Sequence, residues 1–150
     1  MSVDKKLILV GDEYSGKTCL LTMFTQGKFL EDYIPTVCDT NVATMELDNG
    51  NIVKLLLWDT SGQGDYDLGT KDDLRSDLSE LELLQKKGYA PVTTAEAEAV
   101  AKKIKAVAYI ECSAKTKFNV SDVFEAAARA PLDRKSRLAP KVIQEPICLR

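Results

Sequence analysis

The sequence predicts an α/β fold organised around a phosphate-binding loop. Three observations carry this. Gly11-Asp12-Glu13-Tyr14-Ser15-Gly16-Lys17-Thr18 fits G-x-x-x-x-G-K-[ST]. An apolar run, Leu7-Ile8-Leu9-Val10, precedes it as a strand would, and Cys19-Leu20-Leu21-Thr22-Met23-Phe24 follows it with a helical pattern. Asp48-Asn49-Gly50, between two strand-like runs, is a hairpin signal.

The elements follow in order. Residues 5–10 read as the first strand and residues 17–26 as the first helix, with Gly27 suited to its C-cap. Residues 28–39, with Pro35, read as a loop. Residues 40–47 alternate like a half-exposed strand, and residues 52–58 return as its partner. There Leu55-Leu56-Leu57 suits a strand covered on both faces. In the second half, Ser79-x-x-Glu82 and Thr93-x-x-Glu96 read as capping boxes. The first opens a helix ended by Gly88, the second a helix to about Ile104. Residues 106–111 read as a short strand. Ser121 reads as the N-cap of a last helix reaching about Ala130, which Pro131 stops. The polar stretch 131–150 reads as a disordered tail behind a single domain, 1–130.

Composition narrows the classes of function. The chain has 150 residues, a net charge of −3 and no histidine. The charge argues against a general nucleic-acid binder. The missing histidine argues against a zinc site or a histidine-based triad. Four cysteines without close spacing, no signal-peptide pattern and no membrane-length apolar run read as a cytoplasmic protein with reduced thiols.

A loop between strand and helix aims backbone N–H groups at one point, at the positive end of a helix dipole. Lys17 adds a charge for the outer phosphates, and the Thr18 hydroxyl is placed to hold Mg²⁺. Asp59 can reach that ion through water. The Gly62 N–H can approach a γ-phosphate because no side chain blocks it. Gln63 can orient an attacking water. Thr36 offers a second hydroxyl for Mg²⁺. In Thr70-Lys71-Asp72-Asp73, the Asp73 carboxylate suits the two N–H donors of guanine, with the Lys71 stem over the base. Ser113-Ala114-Lys115 offers backbone N–H donors to the guanine oxygen. Adenine presents neither that donor pair nor that acceptor, so the ligand read from these residues is GTP or GDP with Mg²⁺.

With those residues in place the chain resembles a small GTPase of the Ras superfamily, and more narrowly of the Rho/Rac family. The narrower resemblance rests on Gly16-Lys17-Thr18-Cys19-Leu20-Leu21, Tyr33-Ile34-Pro35-Thr36-Val37, Trp58-Asp59-Thr60, Asp65-Tyr66-Asp67 and Glu111-Cys112-Ser113-Ala114-Lys115-Thr116. It implies the P-loop NTPase (G-domain) fold, with a three-layer, mostly parallel sheet. It also implies a Mg²⁺-dependent GTP/GDP switch with exchange factors, GTPase-activating proteins and effectors, often toward actin and cell shape. By position it places Phe29 at the edge of the base, and residues 78–87 where Rho-type members carry an extra helix.

Four departures qualify that expectation. Glu13 stands where the family has glycine, and Tyr14 where it has a small residue. A side chain there crowds Gln63 and a partner's arginine finger, worth roughly 10³–10⁵ in rate. A carboxylate beside phosphates also costs about 1 kcal/mol at ~4 Å in water, and more in a dry site. Slow hydrolysis is therefore expected. Second, Leu68-Gly69 alone separates Asp67 from Thr70, where relatives carry roughly 45 more residues, a large part of a domain of ordinary size. Residues 60–69 can extend ~30 Å, enough to bring Asp73 to a base. The first strand, however, loses a neighbour and becomes a bare edge. One repair is for residues 106–111 to pair beside it, which would carry Ser113-Ala114-Lys115 away from Asp73. Third, Cys38, Thr40 and Asn41 replace aromatic or amide residues of the effector loop. Fourth, Ile147 stands where a prenylation box needs cysteine, and Cys148 reads as a plain thiol, so membrane contact is expected to be weak. Two other readings stay open: a non-catalytic decoy that competes for regulators of intact relatives, and a fragment that does not fold alone.

Overall fold

The computed structural model describes residues 2–11, 14–31, 38–48, 50–60, 71–130 and 142–143. Its first half is a strand, a loop, a helix and a hairpin. Strand β1 (Ser2–Leu9) pairs in parallel with β3 (Ile52–Thr60), which pairs antiparallel with β2 (Cys38–Glu46). The sheet order is β1-β3-β2. β1 starts three residues before the run that predicts it, because Ser2 to Asp4 continue the register opposite Ile52 to Lys54. The register also sets Leu9 beside Asp59, so both strands deliver their ends to the same rim of the sheet. There the Thr60 hydroxyl donates to the Leu9 carbonyl at 2.6 Å.

Helix α1 (Lys17–Gln26) matches its expected bounds. Gly27 closes it with φ 68°, and its N–H donates to the Met23 carbonyl. That left-handed conformation costs a residue with a Cβ about 1–2 kcal/mol, which explains the glycine. Helix α4 (Val120–Arg129) packs beside α1, and Phe24 and Phe124 stack with ring centroids 3.8 Å apart. Together these helices cover the sheet face carrying Val53, Leu55 and Leu57, all buried. The Lys5 ammonium donates to the carbonyls of Ala128 and Ala130, tying the end of α4 to β1.

Burial along β3 alternates, with Leu56 and Trp58 only partly covered. The expectation that Leu55-Leu56-Leu57 is covered on both faces is therefore corrected. Period-two geometry sends Leu56 to the outer face, where Val42 and Ile8 are exposed. The Lys6 ammonium lies 4.0 Å from the Trp58 ring centroid on that face.

The second half contains a 3-10 turn (Asp72–Ser76), α2 (Leu78–Lys86), α3 (Thr94–Lys103) and β4 (Ala108–Tyr109). The cap of α2 is Asp77, which accepts from the N–H groups of Ser79 and Glu80; Ser79 is not the cap. An aspartate two residues earlier reaches the free N–H groups directly and wins. Gly88 follows α2 with φ 77°, as a helix stop should. The Thr93–Glu96 capping box is present in both directions. The last helix is capped by Asn119 in a left-handed conformation with no side-chain cap, two residues before the expected Ser121.

Residues 106–111 supply only the two residues of β4, which pair in parallel with β5 (Val142–Ile143) and not with β1. The repair in which this segment moves beside β1 does not occur. Among the described residues β1 pairs on one side only, as the bare-edge expectation holds. Of the stretch 131–150 only β5 is described. No helix among the described residues is long and apolar enough to cross a membrane.

Candidate nucleotide site

The rim where β1 and β3 end carries the phosphate loop. Gly16 has φ 90° immediately before α1, and Tyr14 has φ 62°. A non-glycine residue in that region stores about 1–3 kcal/mol, which surrounding contacts must hold. Such strain recurs where a loop is shaped for a ligand. Lys17 is 5% exposed, and its Nζ donates to the Gly11 carbonyl at 2.8 Å and lies 3.3 Å from Ser15 Oγ. The loop thus folds over its own lysine, with both glycines and the ammonium at the N-terminus of α1.

Thr18 Oγ1 donates to Asp59 Oδ2 at 2.6 Å. Asp59 is 1% exposed and comes from the end of β3, 41 residues along the chain. A hydroxyl and a buried carboxylate are hard oxygen donors of the kind Mg²⁺ takes. The donor set fits that ion: Thr18 would be the ligand, with Asp59 behind it. Glu13, Thr36, Gly62, Gln63 and Thr70 lie outside the described residues.

The other half of the site comes from the second half of the chain. Asp73 sits in the 3-10 turn, and Ser113 Oγ donates to its Oδ1 at 2.5 Å. Ser113 is fully buried, and its hydroxyl also accepts from the Thr116 N–H at 3.2 Å. The Asp72 N–H donates to the Cys112 carbonyl at 3.2 Å. The expected separation of Ser113-Ala114-Lys115 from Asp73 is therefore corrected: because β4 stays away from β1, the loop after it stays with the turn. Ala114 is buried and Lys115 exposed.

The two halves also approach each other. Burial raises the Cys19 thiol pKa, and the positive charge of Lys71 opposes that rise. Cys19, at the start of α1, thus feels the residue expected to lie over the base. Cys112 and Ala114 join the same core cluster as Leu20 and Leu21 of α1. Phe29 is 39% exposed beyond the end of α1. Lys71 itself has φ 74°, a second non-glycine residue of the site in the left-handed region, after Tyr14.

A cluster that sequence reasoning passed over lies behind Asp73. Arg75 makes an ion pair with Glu111 at 2.6 Å and with Asp72 at 3.0 Å, and its Nε donates to the Val92 carbonyl at 3.1 Å. Glu111 Oε1 also accepts from Tyr109 at 2.6 Å and from Thr94 at 3.0 Å. Burial pushes the Glu111 carboxyl up, but the bonds from Tyr109, Arg75 and Thr94 outweigh it and hold it below its ordinary value. Burial and the Glu111 carboxylate beside it push the Tyr109 hydroxyl well up. The sequence holds one signal for this, an arginine three residues after Asp72; its partner across the fold carries none.

Comparison with known proteins bears on the family of the chain. The model of the Ras family matches twice, over residues 6–77 and 68–133. The GTP-binding protein RHO1 of Eremothecium gossypii is 41% identical over 178 aligned positions, covering 87% of this chain and 86% of that protein. RHO1 of Saccharomyces cerevisiae is 39% identical, with 91% and 87% covered. The GTP-binding protein rho5 of Schizosaccharomyces pombe is 36% identical, with 97% and 96% covered. Eighty-seven per cent of 150 residues is about 130, so about 48 of the 178 positions aligned with the first relative have no residue from this chain. The two family matches overlap over residues 68–77, and the sequence reading places the missing segment at Leu68-Gly69, where that overlap begins.

Proposed function

The chain belongs to the Ras family, as a Rho-type small GTPase, and on that premise we propose that it is a Mg²⁺-dependent guanine-nucleotide switch with slow turnover. The observation that carries this reading is the meeting of Asp73 with Ser113 at 2.5 Å, despite the internal loss. Asp73 takes the two N–H donors of guanine, Lys71 lies over the ring, and the Ser113-Ala114-Lys115 backbone meets the guanine oxygen. Gly11 to Thr18 cradle the phosphates, and the Lys17 ammonium is already confined to that loop. Thr18 and Thr36 would hold Mg²⁺, which neutralises phosphate-oxygen charge when bound. Gln63 orients the water. Glu13 crowds that water and any arginine finger, which keeps the protein GTP-loaded. Regulators and effectors are those of a Rho-type switch, altered by Cys38, Thr40 and Asn41 in the effector loop.

Two measurements test this. Fluorescent GDP, GTP and ATP are titrated with Mg²⁺, with a clear guanylate preference expected. Single-turnover hydrolysis is then compared with Glu13→Gly, which should respond to an activating protein by roughly 10³-fold or more where the parent responds weakly. Absence of guanylate preference at millimolar ligand overturns the switch and leaves a non-catalytic interaction protein. Ordinary stimulated rates in the parent overturn the role of Glu13.

A further inference from the structure

The turn that carries Asp73 has only five residues and ends in Ser76. Among the described residues, its own backbone bond to the rest of the site is one N–H, from Asp72 to the Cys112 carbonyl. Beside that bond and the one from Ser113 to Asp73, the side chain of Arg75 ties the turn to its surroundings. That guanidinium reaches Val92, Asp72 and Glu111 from one planar fork. Glu111 stands two residues before Ser113, so the same ion pair that grips the turn also grips the loop bonded to Asp73. Tyr109 and Thr94 hold the Glu111 carboxylate from the other side. The Asn119 amide donates to the Glu111 carbonyl at 3.0 Å, fixing its backbone too. Arg75 and Glu111 are both about one-fifth exposed, at 21% and 22% of side-chain area. A fork–carboxylate pair with that little solvent is directional as well as strong.

We propose that Arg75 and Glu111 are positioning residues for base selection, holding Asp73 at the angle that accepts both guanine donors. This rests on the nucleotide-switch reading above. Neither residue touches nucleotide; both act through Asp73 and Ser113. In a chain that has lost a segment before this turn, the clamp takes over orientation that a continuous strand would supply. A guanidinium is required because it satisfies three acceptors at fixed angles, whereas an ammonium satisfies one direction at a time.

The test compares GDP, inosine diphosphate and ADP, each titrated with Mg²⁺ against the full chain. Inosine diphosphate lacks the exocyclic amine, so Asp73 can accept only one of its two bonds. A displaced Asp73 therefore harms GDP more than inosine diphosphate and does not change ADP. Arg75→Gln and Glu111→Gln should each reduce the ratio of GDP to inosine diphosphate affinity by about tenfold, the order expected for losing one charge-assisted bond. Arg75→Lys should recover part of the ratio. Tyr109→Phe removes only one hydroxyl and should reduce it two- to threefold, so the idea stays testable if either stronger variant unfolds. Arg129→Gln, which breaks an ion pair to Glu125 and Asp48, should leave the ratio unchanged. A folded Arg75→Gln or Glu111→Gln with the parent's ratio overturns the positioning role while leaving the switch intact. A parent that binds no GDP overturns both, and is recognised before any variant is made.

Discussion

Among the contacts that join the two blocks of chain either side of residues 61–70 is an aromatic pair, and that pair can be cut. Phe24 is on α1 and Phe124 on α4, 3.8 Å apart and only 10° from parallel. Phe124 is 1% exposed, and Phe24 is partly buried against the same core. Stacked aromatic pairs are worth about 0.5–1.5 kcal/mol beyond their area burial, and the coupling is expected in that range. Truncating Phe124 to leucine keeps most of the apolar volume and should cost about 1–2 kcal/mol. At this chain length each kcal/mol lowers Tm by roughly 2–4 °C, so a drop of about 2–8 °C is expected. Phe24→Leu should cost less, because part of its ring already faces solvent. The double variant should fall short of the sum by the coupling energy.

The assay is urea unfolding followed by two probes. Trp58 is the chain's single tryptophan and sits on β3, in the first block, on the sheet face away from the stacked rings. Far-UV circular dichroism reports the four described helices, α2, α3 and α4 of the second block among them. If one core joins the blocks, Phe124→Leu shifts both midpoints together. With an m value of about 1.5 kcal/mol/M the shift is roughly 1 M. Should the Trp58 transition hold still while the helical signal moves, the blocks unfold separately. The phosphate and base halves of the site would then belong to different bodies, and the reasoning that unites them fails.

Two other perturbations follow from local contacts. Thr93→Ala removes one arm of the capping box on α3 and should cost about 1 kcal/mol, seen as a Tm lowered by roughly 2–4 °C, with Thr93→Ser near the parent value. Burial, with the Asp72 charge adding to it, pushes the Cys112 thiol up to about 12. The folded value lies above the ordinary thiol value near ~8.5. Its stabilisation is therefore complete below pH ~8.5 and is lost as pH rises toward the folded value, at about 1.4 kcal/mol per unit. Between pH ~8.5 and ~10 the parent should lose about 2 kcal/mol more than Cys112→Ala, measured by urea midpoints at each pH. Equal slopes for the two proteins would show that the thiol reaches water.

What could be read in the sequence divides along the reach of the forces involved. Helix α1, the hairpin and the Thr93 box were legible because each is set within a few residues: a glycine with positive φ, a period, a side chain bonding an N–H three positions on. Thr18 and Asp59 were legible as a pair because each motif constrains its own strand end, and the β1–β3 register then brings the ends together. Where two local solutions compete, spacing alone cannot rank them. Asp77 and Ser79 both offer an oxygen to the start of α2, and the carboxylate, earlier and charged, takes the N–H groups. Leu55-Leu56-Leu57 looks continuous in sequence, yet burial of a strand is decided by what lies over each face, and among the described residues α1, α4 and the loop of Cys112 and Ala114 share one core with the Leu55 and Leu57 face. The pairing of residues 106–111 was least legible of all. A six-residue apolar segment can pair with any open edge, and the edge of β1 was open. Its loop is held elsewhere instead, by Ser113 on Asp73, Glu111 on Arg75 and Cys112 in the core beside α1. Each of those contacts would be broken or stretched by a move to β1, whereas two residues of new ladder would return at most a few backbone bonds of about 1 kcal/mol each. The base-reading loop keeps its place because its side chains outweigh the strand it could have become.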